Sequence, residues 1–366
     1  MLRRYLFHEI VAPFAAWTGF LSVLFFVMAF LRGMDFLLGS AVTAWDFVRF
    51  TASLAPQFLV QAIPIALLLA TLLGLGRLAD DRELVAMQAL GVRPRVFFRG
   101  PLALGVVLTL VLGLLSFTLQ PWGMRSLRLI AHEIIRRNLV SDIRSGVFHE
   151  EVPDFTLYAE KVEAGNRWTN VLLFDGRDRE TPLLALGARG EVVPDERLEN
   201  VVFVLEQGSV HRASGFSEDY STVGFSRAEF KADVGGAFFQ KNNFRSVREE
   251  SSPLELIEAR RAAFERGEPT LPIDVTLHWR FGQALMPLAF AFLGTPLALS
   301  RRGGGRAFGV LFSLVSYVGY YLIARAAVQV AEKGELAPAL AGQVPNLLFV
   351  VVGLLLMVRV ERRGAA

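Results

Sequence analysis

Residues 50–76 read FTASLAPQFLVQAIPIALLLATLLGLG, 27 positions without a charge. A helix rises about 1.5 Å per residue, so this run crosses the roughly 30 Å hydrocarbon core of a bilayer with length to spare. Five further charge-free runs, residues 10–31, 100–124, 281–300, 307–324 and 336–358, hold 22, 25, 20, 18 and 23 residues. Each predicts a membrane-spanning helix, the fifth by running on past Arg325. With 53% hydrophobic residues, 30 Phe and a mean hydropathy of +0.41, the chain is too apolar for a soluble enzyme of 366 residues. The first run is longer than a signal-peptide core and no small-residue cleavage site follows it, so it is expected to be retained. Pro56 and Pro64 are expected to kink the second span.

Charge sets the orientation. With the N-terminus in the cytoplasm, the inner pieces (residues 1–9, 77–99, 301–306 and 359–366) hold 13 Arg, while the short outer pieces hold only Arg32, Arg49, Arg325 and Lys333. That asymmetry satisfies the positive-inside rule with both termini cytoplasmic. The formal net charge of +3 follows from this topology and gives no reason to invoke nucleic acid.

Between the third and fourth spans lie 156 residues of different composition, 125–280. Runs at 155–162, 171–175, 183–193, 201–206, 209–213 and 220–230 are short, rich in β-branched and aromatic residues, and broken by Gly, Asn, Asp and Pro. They predict an extracytoplasmic all-β sandwich or jelly roll. Helices are expected at its two ends, over 127–139 and 253–266. The second opens with Ser252-Pro253-Leu254-Glu255, a capping box with Pro at the first helical position. The expected class is therefore an α+β membrane protein in three parts: spans one to three (1–124), the β domain with its flanking helices (125–275), and spans four to six (276–366).

Several chemistries have no residues to carry them. The absence of Cys excludes disulfides and thiolate sites, and the five His show no metal-ligand spacing. Gly303-Gly304-Gly305 is followed by Arg306, which is no P-loop, so the chain is not expected to bind ATP, a metal or another cofactor by itself.

One charged segment stands between the second and third spans: Asp80-Asp81-Arg82-Glu83-Leu84-Val85-Ala86-Met87-Gln88-Ala89-Leu90-Gly91. Asp80 is expected to cap a helix with Glu83 answering it, and Gly91 followed by Pro94 to end it, giving about ten residues and roughly 15 Å. On a 100° wheel its apolar residues share no single face, which argues against a helix lying in lipid headgroups. Either a protein surface receives this helix, or it is a solvated loop in which Glu83 only caps.

These features together resemble the lipopolysaccharide export permease family, LptF/LptG. The resemblance rests on the Arg4-Tyr5-Leu6 entry, the ELVAMQALG core at 83–91, His278-Trp279-Arg280 at the fourth span, and Pro296-Leu297 ahead of Arg301-Arg302-Gly303-Gly304. It implies a heterodimer of two paralogous permeases in the inner membrane, seated on a dimeric cytoplasmic P-loop ATPase. Such a complex extracts lipopolysaccharide and passes it through β-jellyroll domains to periplasmic bridge proteins of the LptC/LptA type. The segment at 80–91 becomes a coupling helix, with Arg82, Glu83, Leu84, Met87, Leu90 and Gly91 as its docking residues and Glu83 as the acid that pairs with the ATPase. Arg32, Arg125 and Arg325, near the outer face, become candidates for the phosphorylated headgroup, because Arg presents a planar, permanently charged fork to phosphate. Other readings are a sensory or assembly protein with a β ligand-binding module, and a permease for another glycolipid. A secondary transporter is disfavoured by the lack of Asp, Glu or Lys at mid-depth in the spans.

Overall fold

The computed structural model describes residues 2–37, 42–141, 144–150, 154–163, 167–178, 181–194, 201–213, 220–232, 250–300 and 305–364. Among the described residues, six helices are long and apolar enough to cross a membrane: Arg4–Leu31, Ala44–Asp80, Arg95–Ala131, Leu271–Leu299, Gly309–Glu332 and Pro338–Arg362. They cover all but a few terminal residues of the charge-free runs, and the protein is a multi-pass membrane protein of the α+β class. Two compact units divide the chain, one of residues 1–28, 54–123 and 248–366, the other of residues 29–53 and 124–247.

Ahead of the strands come α1 (Leu2–Leu37), α2 (Ala44–Asp80), a short α3 (Glu83–Ala89), α4 (Arg95–Leu114), a π turn (Leu115–Leu119) and α5 (Gln120–Ser141). After them come α6 (Pro253–Glu265), α7 (Leu271–Leu299), α8 (Gly305–Glu332) and α9 (Pro338–Gly364). The central span is α2, with 83% of its apolar window buried against 11% for α1. It continues as one helix through Pro56 and Pro64.

The third span and the helix expected over 127–139 are joined, since α4, the π turn and α5 follow one another without a break. Pro121 explains the π turn. A proline cannot donate to the carbonyl four residues back, here Phe117, and the wider i→i+5 turn accommodates that lost bond inside the helix. The box at Ser252 forms as the sequence predicts: Ser252 N donates to Glu255 Oε2 at 2.7 Å and Glu255 N to Ser252 Oγ at 3.3 Å.

Between the last three spans the packing is close and partly polar. Gly282 of α7 and Gly342 of α9 face each other so tightly that a Cβ on Gly282 would collide with the Gly342 carbonyl. Small residues let helix backbones meet in this way where lipid supplies no hydrophobic drive between helices. Asn346 of α9 then donates to the Gly282 carbonyl at 3.0 Å and accepts from the Tyr320 hydroxyl of α8 at 2.9 Å. Phe290, Tyr320 and Phe349 stack around this polar chain with ring centroids 5.2 to 5.6 Å apart.

The other unit contains one antiparallel sheet in sequential order: β1 (Phe148–His149), β2 (Phe155–Glu163), β3 (Arg167–Asp175), β4 (Leu183–Pro194), β5 (Val201–Ala213) and β6 (Tyr220–Ala232). Among the described residues, the expected sandwich or jelly roll takes the form of this single meander. Its buried face is built from Phe155, Leu157, Trp168, Val171, Leu173 and Phe203, all under 5% exposed.

A crease runs across the sheet. Register is unbroken along every pair, yet Glu160, Asn170, Ala188, Gln207 and Ser226 form one row that makes no bridge in any ladder. Asn170 and Gln207 on that row have left-handed backbones, φ 51° and 54°. The inward parity changes there, from Trp168 to Val171 in β3 and from Gly187 to Gly190 in β4.

The close approach of α7 and α9 yields a stability prediction. Gly282→Leu should force the two backbones apart and cost about 1–3 kcal/mol or more. Thermal unfolding in detergent should show a lowered transition, with Gly319→Leu, where a Cβ meets nothing within 4 Å, as the benign control.

Candidate functional site

The charged segment between the second and third spans is built differently from the sequence expectation at its start and as expected at its end. Asp80 does not cap a helix, because α2 continues through it: Leu78 is fully buried and holds that last turn against the core. Asp81 and Arg82 make the turn, Arg82 takes a left-handed conformation with φ 58°, and no side chain caps α3. At the other end Gly91 has φ 87°, with Gly91 N donating to Gln88 O at 2.9 Å and Val92 N to Met87 O at 3.0 Å. This is a Schellman closure, and Met87 and Val92 pack together against the same apolar cluster.

Packing divides the expected docking residues. Leu84 is 5% exposed and belongs to the cluster of Leu6, Ile10, Leu75, Leu78 and Phe97, with Met87 half-buried on the same edge at i+3. Leu90 is 85% exposed, and Val85, absent from the residues expected to dock, is 63% exposed. A seven-residue helix therefore serves two surfaces, an inner edge of Leu84 and Met87 and an outer edge of Val85, Ala86, Ala89 and Leu90. That double use is why no single apolar face is visible on the wheel.

Polar contacts surround this helix. Glu83, freed from capping, accepts from the Tyr5 hydroxyl on Oε2 at 2.9 Å. Arg77 pairs with Glu9 at 3.3 Å and with Asp81 at 3.6 Å. Arg95, opening α4, makes a two-pronged pair with Glu361 of α9, its Nη2 lying 2.8 Å from Oε2. A cleft of about 420 Å³ opens there, lined by Gln88, Gly91, Val92, Arg93, Arg95 and Glu361 among others. The accessible side of this segment carries an anion, two exposed apolar side chains and a basic rim.

Residues 4–359 match the family described as "Lipopolysaccharide export system permease LptF/LptG". The chain belongs to the LptF/LptG family. It is similar to the lipopolysaccharide export system permease protein LptF of Escherichia coli K12, 22% identical over 360 residues that make up 96% of this chain and 93% of that protein. The protein of the same name from Shigella flexneri gives the same figures. An uncharacterized protein of Rickettsia prowazekii is 22% identical over 173 residues, 47% of this chain and 48% of that one.

In this LptF/LptG-family chain the three candidate headgroup arginines lie on three different helices. Arg32 lies within α1, but its side chain falls outside the described residues. Arg125 is exposed on α5. Arg325 of α8 donates through Nε to the Tyr321 hydroxyl at 2.9 Å and lies 5.2 Å from the centre of that ring. The tyrosine one turn back thus holds this guanidinium and shares its charge with an aromatic face.

An ion cluster that sequence reasoning missed lies at the start of α2. Asp46, 2% exposed, is paired with Arg137 of α5 at 2.8 Å, and Arg49 with Glu133 at 3.0 Å. The neighbouring carboxylate holds the Arg137 guanidinium above its ordinary pKa. Thr43 caps α2 in a reciprocal box with Asp46, through Thr43 N to Oδ2 at 3.0 Å and Asp46 N to Thr43 Oγ1 at 3.3 Å. The Thr43-Ala44-Trp45-Asp46 pattern was the available signal.

Because the chain has no cysteine, the two edges of α3 are directly testable by labelling. Val85→Cys and Leu90→Cys in detergent-solubilised protein should react with a water-soluble maleimide in a time that leaves Leu84→Cys unlabelled, as mass spectrometry would show.

Proposed function

We propose that this chain is one of two paralogous permeases of an ABC-type exporter that takes lipopolysaccharide out of the inner membrane and hands it to periplasmic bridge proteins of the LptC/LptA type. The carrying observation is α3, a charged helix at the junction of two spans that leaves Glu83, Val85 and Leu90 on its accessible side while Leu84 roots it in the bundle. In this reading α3 docks on a cytoplasmic P-loop ATPase dimer, and Glu83 pairs with a cationic group there. Leu90, as expected, and Val85, in place of Leu84 and Met87, supply the apolar contact. Arg82 and Gly91 set the two turns that aim the helix. ATP-driven closure then moves α2 and α4, the spans on either side of α3.

The 13-to-4 distribution of positive residues supports placing α3 and both termini in the cytoplasm and the β domain outside. Arg32, Arg125 and Arg325 are the proposed contacts for the phosphorylated headgroup. A sensory or assembly protein would have no use for α3 and would not co-purify with a P-loop ATPase.

Glu83→Gln decides between a coupling acid and a loop helix. It keeps size and hydrogen-bonding capacity and removes the charge. Reconstituted in liposomes with the ATPase and the second permease, this variant should release lipopolysaccharide at least about tenfold more slowly, the effect of losing a charge-assisted hydrogen bond of about 1.5–3 kcal/mol. Full transport by the variant would reduce α3 to a connecting element.

A further inference from the structure

We infer that Tyr5 is a positioning residue for Glu83, and that through it α1 is yoked to the coupling segment. This rests on the reading of α3 as the ATPase-docking helix. The founding observation is a hydrogen bond across 78 residues of sequence, from the Tyr5 hydroxyl to Glu83 Oε2 at 2.9 Å. It does not stand alone. Leu6 and Ile10, on the first turns of α1, are 3% and 1% exposed in the cluster that also takes in Leu78 of α2 and Leu84 of α3. Glu9, one turn beyond Tyr5, pairs with Arg77, which in turn pairs with Asp81 in the α2–α3 turn. Gly74 lets the backbone of α2 come against the Glu9 carbonyl so closely that no Cβ fits between them. Apolar, ionic and hydrogen-bonded contacts therefore join α1 to both sides of the left-handed turn at Arg82.

The chemistry gives the hydroxyl a specific task. An ionised carboxylate accepts about four hydrogen bonds through its two oxygens. Tyr5 occupies one site on Oε2 and leaves the other oxygen for a cationic group of the docking ATPase. A long side chain already held in one rotamer loses less freedom when its partner arrives. The same bond carries displacement: when α3 is pushed, α1 is pulled with it, so three spans respond to the motor instead of the two that flank α3 in sequence.

The test is a double-mutant cycle on the full complex of this chain, its partner permease and the ATPase in lipopolysaccharide-loaded liposomes, reading lipid released per ATP hydrolysed. Tyr5→Phe keeps the ring and its packing and removes only the hydroxyl, so a purely structural role of the ring is unaffected. It should lower the coupling ratio by about two- to tenfold, the range for one partly exposed hydrogen bond. In a Glu83→Gln background the same change should add little, because the hydroxyl acts through the carboxylate. An unchanged ratio for Tyr5→Phe beside a loss for Glu83→Gln would overturn this inference alone, as would losses that simply multiply in the double variant. Full transport by Glu83→Gln would remove the coupling reading of α3 and this inference with it.

Discussion

Inside hydrocarbon a peptide group finds no hydrogen-bonding partner but another part of the protein. Several features of the spans answer to that constraint. Pro121 does not break the third span, because the π turn before it keeps the chain helical. The hydroxyls of Thr71, Thr295 and Ser313 turn back onto carbonyls one turn earlier, at 2.7 to 3.0 Å. Asn346 is only 5% exposed and still spends both ends of its amide, on Gly282 and Tyr320. The turn that leads into α3 lies outside the spans, after Asp80 and before Arg95.

How α3 is attached matters as much as what it displays. A helix this short has little stability of its own, since a first turn fixes several residues for one hydrogen bond. Leu84 and Met87 supply what the sequence alone cannot, by burying one edge in the same cluster that packs α1, α2 and α4. The helix is therefore held to the bundle by its buried edge, where an exposed loop carrying the same acid would be free to change its own dihedral angles.

The parts of this structure that are legible in the sequence are those that a single physical effect decides. Length and apolarity alone settle the six spans, and local hydrogen bonding settles the box at Ser252 and the end at Gly91. Where two effects compete, the sequence pattern misleads. Asp80-x-x-Glu83 has the spacing of a cap, but burial of Leu78 extends α2 past it and turns Glu83 towards Tyr5. Leu84 and Leu90 are the same residue type in one short segment, and only tertiary packing sends one inward and the other out. The pattern predicts two strands where 201–213 forms one, and a start at Val171 for the strand that begins at Arg167, because period-two alternation lapses at Gln207 and Asn170. The pairing of Asp46 with Arg137 joins residues far apart in sequence, which no local pattern marks.

That lapse has a mechanical consequence. A sheet is stiff against bending along its strands because its ladders of paired peptide groups must all deform together. Across the line through Glu160, Asn170, Ala188, Gln207 and Ser226 the rungs are already missing, while those on either side remain in register. The sheet is consequently two sets of ladders separated by one unbridged row, on which Asn170 and Gln207 carry left-handed backbones. Because the inward-facing positions of β3 and β4 switch parity at that row, Trp168 and Val171 are both buried although three residues apart, where an unbroken alternation would send one of them outward.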